Sequence, residues 1–111
     1  MAKPPPLPGR PVRGSRSGRP VMALIDLIGR RWVLRIVWEL RDRPLTFRAL
    51  QSACGGLSPS VLNQRLAELR AAALIESQDE GYALSALGRE LLTLLMPLTR
   101  WADKWAQANP A

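Results

Sequence analysis

Residues 57–73, LSPSVLNQRLAELRAAA, constrain the fold of this chain more than any other stretch. They open with a helix-entry signal, because Ser58 can cap a helix whose first residue is Pro59, where the missing N–H is not needed. Apolar side chains then recur at helical spacing: Val61, Leu62, Leu66 and Leu69. The opposite face carries only small or amide side chains: Ser60, Asn63, Gln64 and Ala67. We therefore predict a helix that packs on a core with one face and leaves the other for a DNA groove.

The segments before this helix complete a helix-turn-helix pattern. Residues 47–54 predict a two-turn helix, and Gly55-Gly56 ends it by allowing positive φ. Helix, glycine-containing turn and second helix is the order of a helix-turn-helix. Upstream, a core-facing stripe predicts a helix over residues 30–41, formed by Trp32, Val33, Ile36, Val37 and Leu40. Residues 45–47 predict either a short edge strand or a helix entry capped by Thr46.

The segments after it predict a wing and a long final helix. Residues 74–84 alternate weakly around a polar loop and predict a small hairpin, whose tip is acidic and would repel phosphates. Ser85 can cap a helix from residue 86 to about 106, kinked by Pro97. Its apolar side chains follow a heptad-like spacing: Leu87, Leu91, Leu94, Leu98, Trp101 and Trp105. This face is wider than one small domain needs, which predicts a dimer interface.

Charge and cysteine content narrow the class of function. The chain has 111 residues and a net charge of +7, but residues 1–20 hold five basic residues and no acid. The remaining eleven basic and nine acidic residues give residues 21–111 a net charge of only +2. We predict a disordered basic arm over residues 1–20 and one domain over 21–107. With no histidine and with Cys54 as the single cysteine, we predict no metal, no cofactor and no enzyme activity, and a structural role for this cysteine.

Four stretches together resemble the HxlR-type winged helix-turn-helix transcriptional regulators. They are PVMALIDLIGRRWVLRIVWEL, PLTFRAL, LSPSVLNQRLAELRAAALIE and YALSALGRELLTLLMPLTRW. The resemblance implies a mainly α fold with a small β-hairpin, a winged helix-turn-helix with additional N- and C-terminal dimerisation helices. It also implies a homodimer that binds an inverted repeat in double-stranded DNA, in the cytoplasm of a bacterium and associated with the nucleoid. Where family members often carry a sensing cysteine, this chain has Arg19, so the resemblance does not extend to that mechanism.

The resemblance and the helical pattern together assign candidate site residues. The recognition helix is expected over about residues 59–72. DNA contacts are expected from Ser60, Asn63, Gln64, Arg65, Arg48 and Arg70, with Asn63 and Gln64 on base edges and Arg65 on a phosphate. The dimer interface is expected from Val21, Leu24, Ile25, Leu91, Leu94, Leu98, Trp101 and Trp105.

Two further possibilities stay open at the level of sequence. The weak charge of the domain and the acidic wing also fit a winged-helix module that binds proteins and has only non-specific DNA affinity from its arm. A small-molecule effector is possible between the dimer seam and the tryptophans Trp32, Trp38, Trp101 and Trp105. No apolar run reaches the length of a membrane span, so we expect no membrane partner.

Overall fold

The computed structural model describes residues 5–110, which form five helices and one antiparallel hairpin. The elements in chain order are α1 (Pro20–Ile28), α2 (Val33–Glu39), α3 (Phe47–Ala53), α4 (Pro59–Ala71), β1 (Ile75–Gln78), β2 (Gly81–Leu84) and α5 (Ala86–Ala108). The predicted mainly α fold with a small hairpin is confirmed. None of the helices in this part of the chain combines the length and hydropathy that a membrane span requires.

The core lies where the helical stripes predicted it. The most deeply buried side chains are Ile36, Leu40, Leu50, Leu62, Leu69, Val33 and Val37. Helix α2 packs against α1, α3 and α5, while α4 packs against β1 and α5 against β2. Because α2 contacts three helices, its apolar stripe forms the centre of the domain, and α4 reaches this core through Leu62, Leu66 and Leu69.

Helix α2 is shorter than the sequence pattern predicts. It begins at Val33 rather than at residue 30, because Trp32 has a φ of 78° in the left-handed region. An L-residue in that conformation cannot continue a right-handed helix. Residues 30–32 therefore form a turn between α1 and α2, and this turn approaches α4.

Residues 45–47 combine the two alternatives that the sequence left open, a strand contact and the entry to a helix. Strands β1 and β2 pair antiparallel, with Ile75 opposite Leu84 and Gln78 opposite Gly81. Leu45 adds one bridge to this hairpin, because its N–H donates to the Tyr82 carbonyl at 2.9 Å and its carbonyl accepts from the Tyr82 N–H at 2.8 Å. Thr46 then caps α3 by accepting from the Ala49 N–H at 3.1 Å.

Helix α5 is packed on the domain only in its first half. Ser85 caps it by accepting from the Gly88 N–H at 3.0 Å. Leu91 is buried in the core, Leu92 and Leu95 pack against the core, and every residue from 96 to 110 is exposed. The second half of this helix therefore contacts little of its own domain. The expected kink at Pro97 stays a prediction.

Residues 5–19 follow a defined path along α1. The Gly9 N–H donates to the Gly18 carbonyl at 3.0 Å, and Val12 pairs with Ser15 in a tight turn. Pro6 is buried, and it lines a small cavity with side chains of α1 and of the α4–β1 connection. Leu7 and Pro8 line the same cavity, and the disorder that composition predicts for the arm stays a prediction. Residues 1–4 of the arm lie outside the described residues, and the boundary at residue 21 stays a prediction.

Candidate nucleic-acid interface

The helix-turn-helix is formed by α3, a glycine turn and α4. Gly55 and Gly56 have φ of 77° and 82°, a conformation that glycine adopts without strain. Gln51 of α3 donates from Nε2 to the Leu57 carbonyl at 2.9 Å, which fastens the turn to the first helix. Ser58 caps α4, with its Oγ accepting from the Val61 N–H at 3.3 Å. The predicted start of this helix at Pro59 is therefore confirmed.

The outer face of α4 presents unpaired polar groups. Ser60, Asn63, Gln64 and Ala67 are all exposed. Ser60 shares a hydrogen bond with the hydroxyl of Ser58 at 3.4 Å. Within residues 5–110, the amides of Asn63 and Gln64 make no hydrogen bond. These amides are free to pair with donors and acceptors of another molecule, as readout of a base edge requires.

The three arginines predicted to contact DNA differ in their surroundings. Arg48 on α3 and Arg70 in the last turn of α4 are exposed. Arg65 is not: its side chain is 17% exposed, and two of its three guanidinium nitrogens are bonded inside the chain. Its Nη1 donates to Glu68 Oε1 at 2.6 Å, and its Nε donates to the Arg31 carbonyl at 2.8 Å. Arg65 is thus bonded within its own domain, and the phosphate contact expected from it stays a prediction.

The partner of Arg65 is a buried acid that the sequence pattern did not reveal. Glu68 is 3% exposed, and its second oxygen accepts from Arg30 Nη1 in the α1–α2 turn. Glu68 lies off the apolar stripe of α4, so the helical pattern places it in solvent. The spacing of Arg65 and Glu68, three residues apart, was the one available signal, because such residues are neighbours on a helix. Nothing in the sequence pointed to Arg30.

Arg31 is a second residue that sequence reasoning missed. It is exposed, and its carbonyl lies within hydrogen-bond distance of Arg65 on α4. Its guanidinium carbon is 5.4 Å from the centre of the Trp32 ring. Among residues 5–110 it has no carboxylate partner. This places an uncompensated positive charge beside the recognition helix.

The wing tip is exposed and acidic. Glu76, Asp79 and Glu80 are all exposed, and the Glu76 carboxylate accepts from Gln78 Nε2 at 3.3 Å. These negative charges face solvent without a cation in contact within the described chain. The geometry agrees with the predicted hairpin. That the wing contributes little to DNA affinity stays a prediction.

The residues predicted for the dimer interface fall into two groups. Six large apolar side chains of this set are exposed by half or more: Val21, Ile25, Leu94, Leu98, Trp101 and Trp105. Leu94 is the most exposed, at 75%. Leu91 is instead part of the core and Leu24 packs against the core, because both point toward α2 and its neighbours. The six exposed residues, together with Leu87, which is 51% exposed, form an apolar surface, and the dimer interface itself stays a prediction.

The four tryptophans differ in their surroundings. Trp38 is half-buried under the Arg41 guanidinium at 4.1 Å, and Trp32 packs against the core, whereas Trp101 and Trp105 are exposed on α5. A cavity of about 420 Å³ lies between the arm and α1, lined by Arg13, Gly14, Met22, Ile25, Asp26, Gly29 and Arg30. An effector site between the tryptophans and the dimer seam stays a prediction.

Cys54 ends α3 as a small buried side chain. It is 3% exposed and belongs to the core. Burial raises the pKa of its thiol, Arg35 opposes this rise, and Glu39 adds to it. A buried thiol with a raised pKa is a poor nucleophile, which agrees with the predicted structural role.

Comparison with known proteins identifies this arrangement. Residues 27–110 match the sequence model of the HxlR-like helix-turn-helix family. The chain is 28% identical over 88 residues to an uncharacterized HTH-type transcriptional regulator, YvaP of Bacillus subtilis, covering 73% of this chain and 82% of the relative. It is 25% identical over 92 residues to an HTH-type transcriptional regulator of Methanocaldococcus jannaschii, covering 79% and 87%.

Solved structures agree in fold. The crystal structure of quinone-bound YodB from B. subtilis superposes with a TM-score of 0.72 at 28% identity, covering 76% of this chain and 96% of that one. A possible HxlR family transcriptional factor from Thermoplasma volcanium gives a TM-score of 0.67 at 24% identity, covering 76% and 82%. The second likeness shows the fold alone.

Proposed function

The chain belongs to the HxlR-like helix-turn-helix family of DNA-binding transcriptional regulators, and from this premise we propose that it reads an inverted-repeat operator as a homodimer. One observation carries the proposal. The second helix of the motif is capped, packed on the core by one face, and presents two unpaired amides on the other. Amides of Asn and Gln pair bidentately with the adenine edge in the major groove.

Support for the homodimer comes from the exposed apolar residues on α1 and α5. The second half of α5 contacts little of its own domain, yet it carries Leu98, Trp101 and Trp105 on one side. A soluble monomer rarely leaves so many large apolar side chains together in water. A second copy of the chain would cover them, and two-fold symmetry would then place the recognition helices about 34–36 Å apart, one turn of DNA.

The test is selection of bound sequences from a random pool of duplex DNA, with molecular mass measured by light scattering. We expect a palindromic consensus and the mass of a dimer. The double variant Asn63→Ala/Gln64→Ala should bind the consensus and random DNA with nearly equal affinity, since each bidentate pair contributes about 1–3 kcal/mol of discrimination. Gln107→Ala, which removes an exposed amide from α5, is the matched control and should keep the preference.

The alternative function predicts a different result in the same experiment. A module that binds proteins and touches DNA only through its arm would show salt-sensitive binding without a consensus. That binding would disappear when Arg10, Arg13 and Arg16, which are exposed in the arm, are replaced by glutamine. Full preference for the operator in the double variant of α4 would show that these amides are not the reading groups.

A further inference from the structure

We propose that the buried cluster of Arg30, Glu68 and Arg65 fixes the orientation of α4, and that Arg31, rather than Arg65, contacts a DNA phosphate on this side of the helix. The inference rests on the DNA-binding function proposed above. It adds a positioning residue, Glu68, and a contact residue, Arg31, that neither the helical pattern nor the family resemblance supplied.

Glu68 connects the recognition helix to the α1–α2 turn. One carboxylate oxygen holds Arg30 in the turn, and the other holds Arg65 one helical turn earlier in α4. The side chain of Glu68 is 4% exposed, and those of Arg30 and Arg65 are 20% and 17% exposed. Because Glu68 is almost fully buried, rotating α4 about its axis would leave the Glu68 carboxylate without its cationic partners. The cluster therefore sets the direction in which Asn63 and Gln64 point.

Arg65 cannot leave this cluster to contact DNA without two losses. Its guanidinium donates from Nη1 to Glu68 and from Nε to the Arg31 carbonyl, so the two bonds hold the planar group in one orientation. Its positive charge is compensated by the Glu68 carboxylate at 2.6 Å. A phosphate would have to compete with both interactions, which makes Arg65 a structural residue of the interface.

The same bonds position Arg31. Because the Arg31 carbonyl accepts from Arg65, its backbone is fastened next to α4, while its side chain is exposed. The left-handed conformation of Trp32 separates Arg31 from the start of α2 at Val33. The Trp32 ring lies under the Arg31 guanidinium. An exposed, uncompensated arginine fastened beside the recognition helix has the placement of a backbone contact, which holds the protein on DNA without reading sequence.

The test compares three variants that each replace one arginine by methionine: Arg31→Met, Arg65→Met and, as control, Arg100→Met. Arg100 is exposed on α5, away from the α1–α2 turn in sequence. Binding to a duplex of random sequence is measured over a series of salt concentrations. Arg31→Met should make the slope of log affinity against log salt shallower by about 1 per protomer. Arg65→Met and Arg100→Met should keep the parental slope, and only Arg65→Met should lower the melting temperature.

The random duplex separates this inference from the proposed function, because the slopes are defined even if no operator exists. A parental slope in Arg31→Met, or a shallower one in Arg65→Met, would overturn the assignment.

For the positioning role, Glu68→Gln should reduce the ratio of operator to random-DNA affinity at least tenfold without weakening binding to random DNA. An equal loss on both duplexes would mean that Glu68 only stabilises the fold. If Glu68→Gln fails to fold, the methionine variants still decide the contact.

Discussion

Trp101→Ala should dissociate the proposed homodimer, and the size of the effect follows from the exposure of Trp101. Trp101 is 58% exposed in the single chain and lies on the same side of α5 as Leu94, Leu98 and Trp105. A tryptophan side chain presents about 250 Å², so about 145 Å² of it is open to water. At about 25 cal/mol per Å², covering this area contributes about 3.6 kcal/mol.

In a two-fold symmetric dimer each protomer contributes one Trp101 side chain, so the two together stabilise the dimer by at most about 7 kcal/mol. Interfaces cover such side chains incompletely, and alanine retains part of the contact. If half is lost, the dissociation constant rises roughly 300-fold, since about 1.4 kcal/mol corresponds to a factor of ten. Sedimentation velocity over a dilution series measures this change directly.

Met96→Ala is the matched control. Met96 is 42% exposed, but it lies two residues after Leu94 and therefore about 200° around the helix. It should leave the dissociation constant unchanged, and circular dichroism should show both variants folded. If Trp101→Ala had the same dissociation constant as the parent protein, this interface would be refuted. A parent that stays monomeric at every concentration would refute the homodimer itself.

Three further predictions concern the stability of the domain. Gly88→Ala should lower the free energy of unfolding by about 1–3 kcal/mol, measured from its urea midpoint, because the added methyl group would overlap the Leu74 carbonyl oxygen. Ser58→Ala should cost about 1 kcal/mol in the same assay through loss of the α4 cap, whereas Ser60→Ala should not. Burial is the main cause that raises the Cys54 pKa above 9.0, so the folded protein retains the thiol proton at a pH where the unfolded chain loses it. The free energy of unfolding should therefore fall as the pH rises above 9.0. Cys54→Ala should make that decline less steep.

The sequence predicted those features that depend on neighbouring residues along one element. Ser58 and Pro59 set the start of α4, and its apolar stripe set the face that packs on the core. Glycines with positive φ ended α3, and Ser85 began α5. Caps, turns and helical periodicity act over a few residues, so their energies are present in the local sequence.

Only the tertiary structure decided the surroundings of each charged residue on α4. Arg65 and Arg70 lie on the same helix, yet one is bonded to Glu68 and the other is exposed. Likewise, the spacing of α5 grouped Leu91 with Leu94, but only Leu91 meets α2 and its neighbours in the core.

Periodicity reports the direction in which a side chain points from its own helix. The element that packs against this side chain from elsewhere in the sequence determines whether it is buried, paired or exposed. That is why α4 could be predicted from the sequence, whereas the contacts of Glu68, Arg30 and Arg31 depend on how the α1–α2 turn packs against α4.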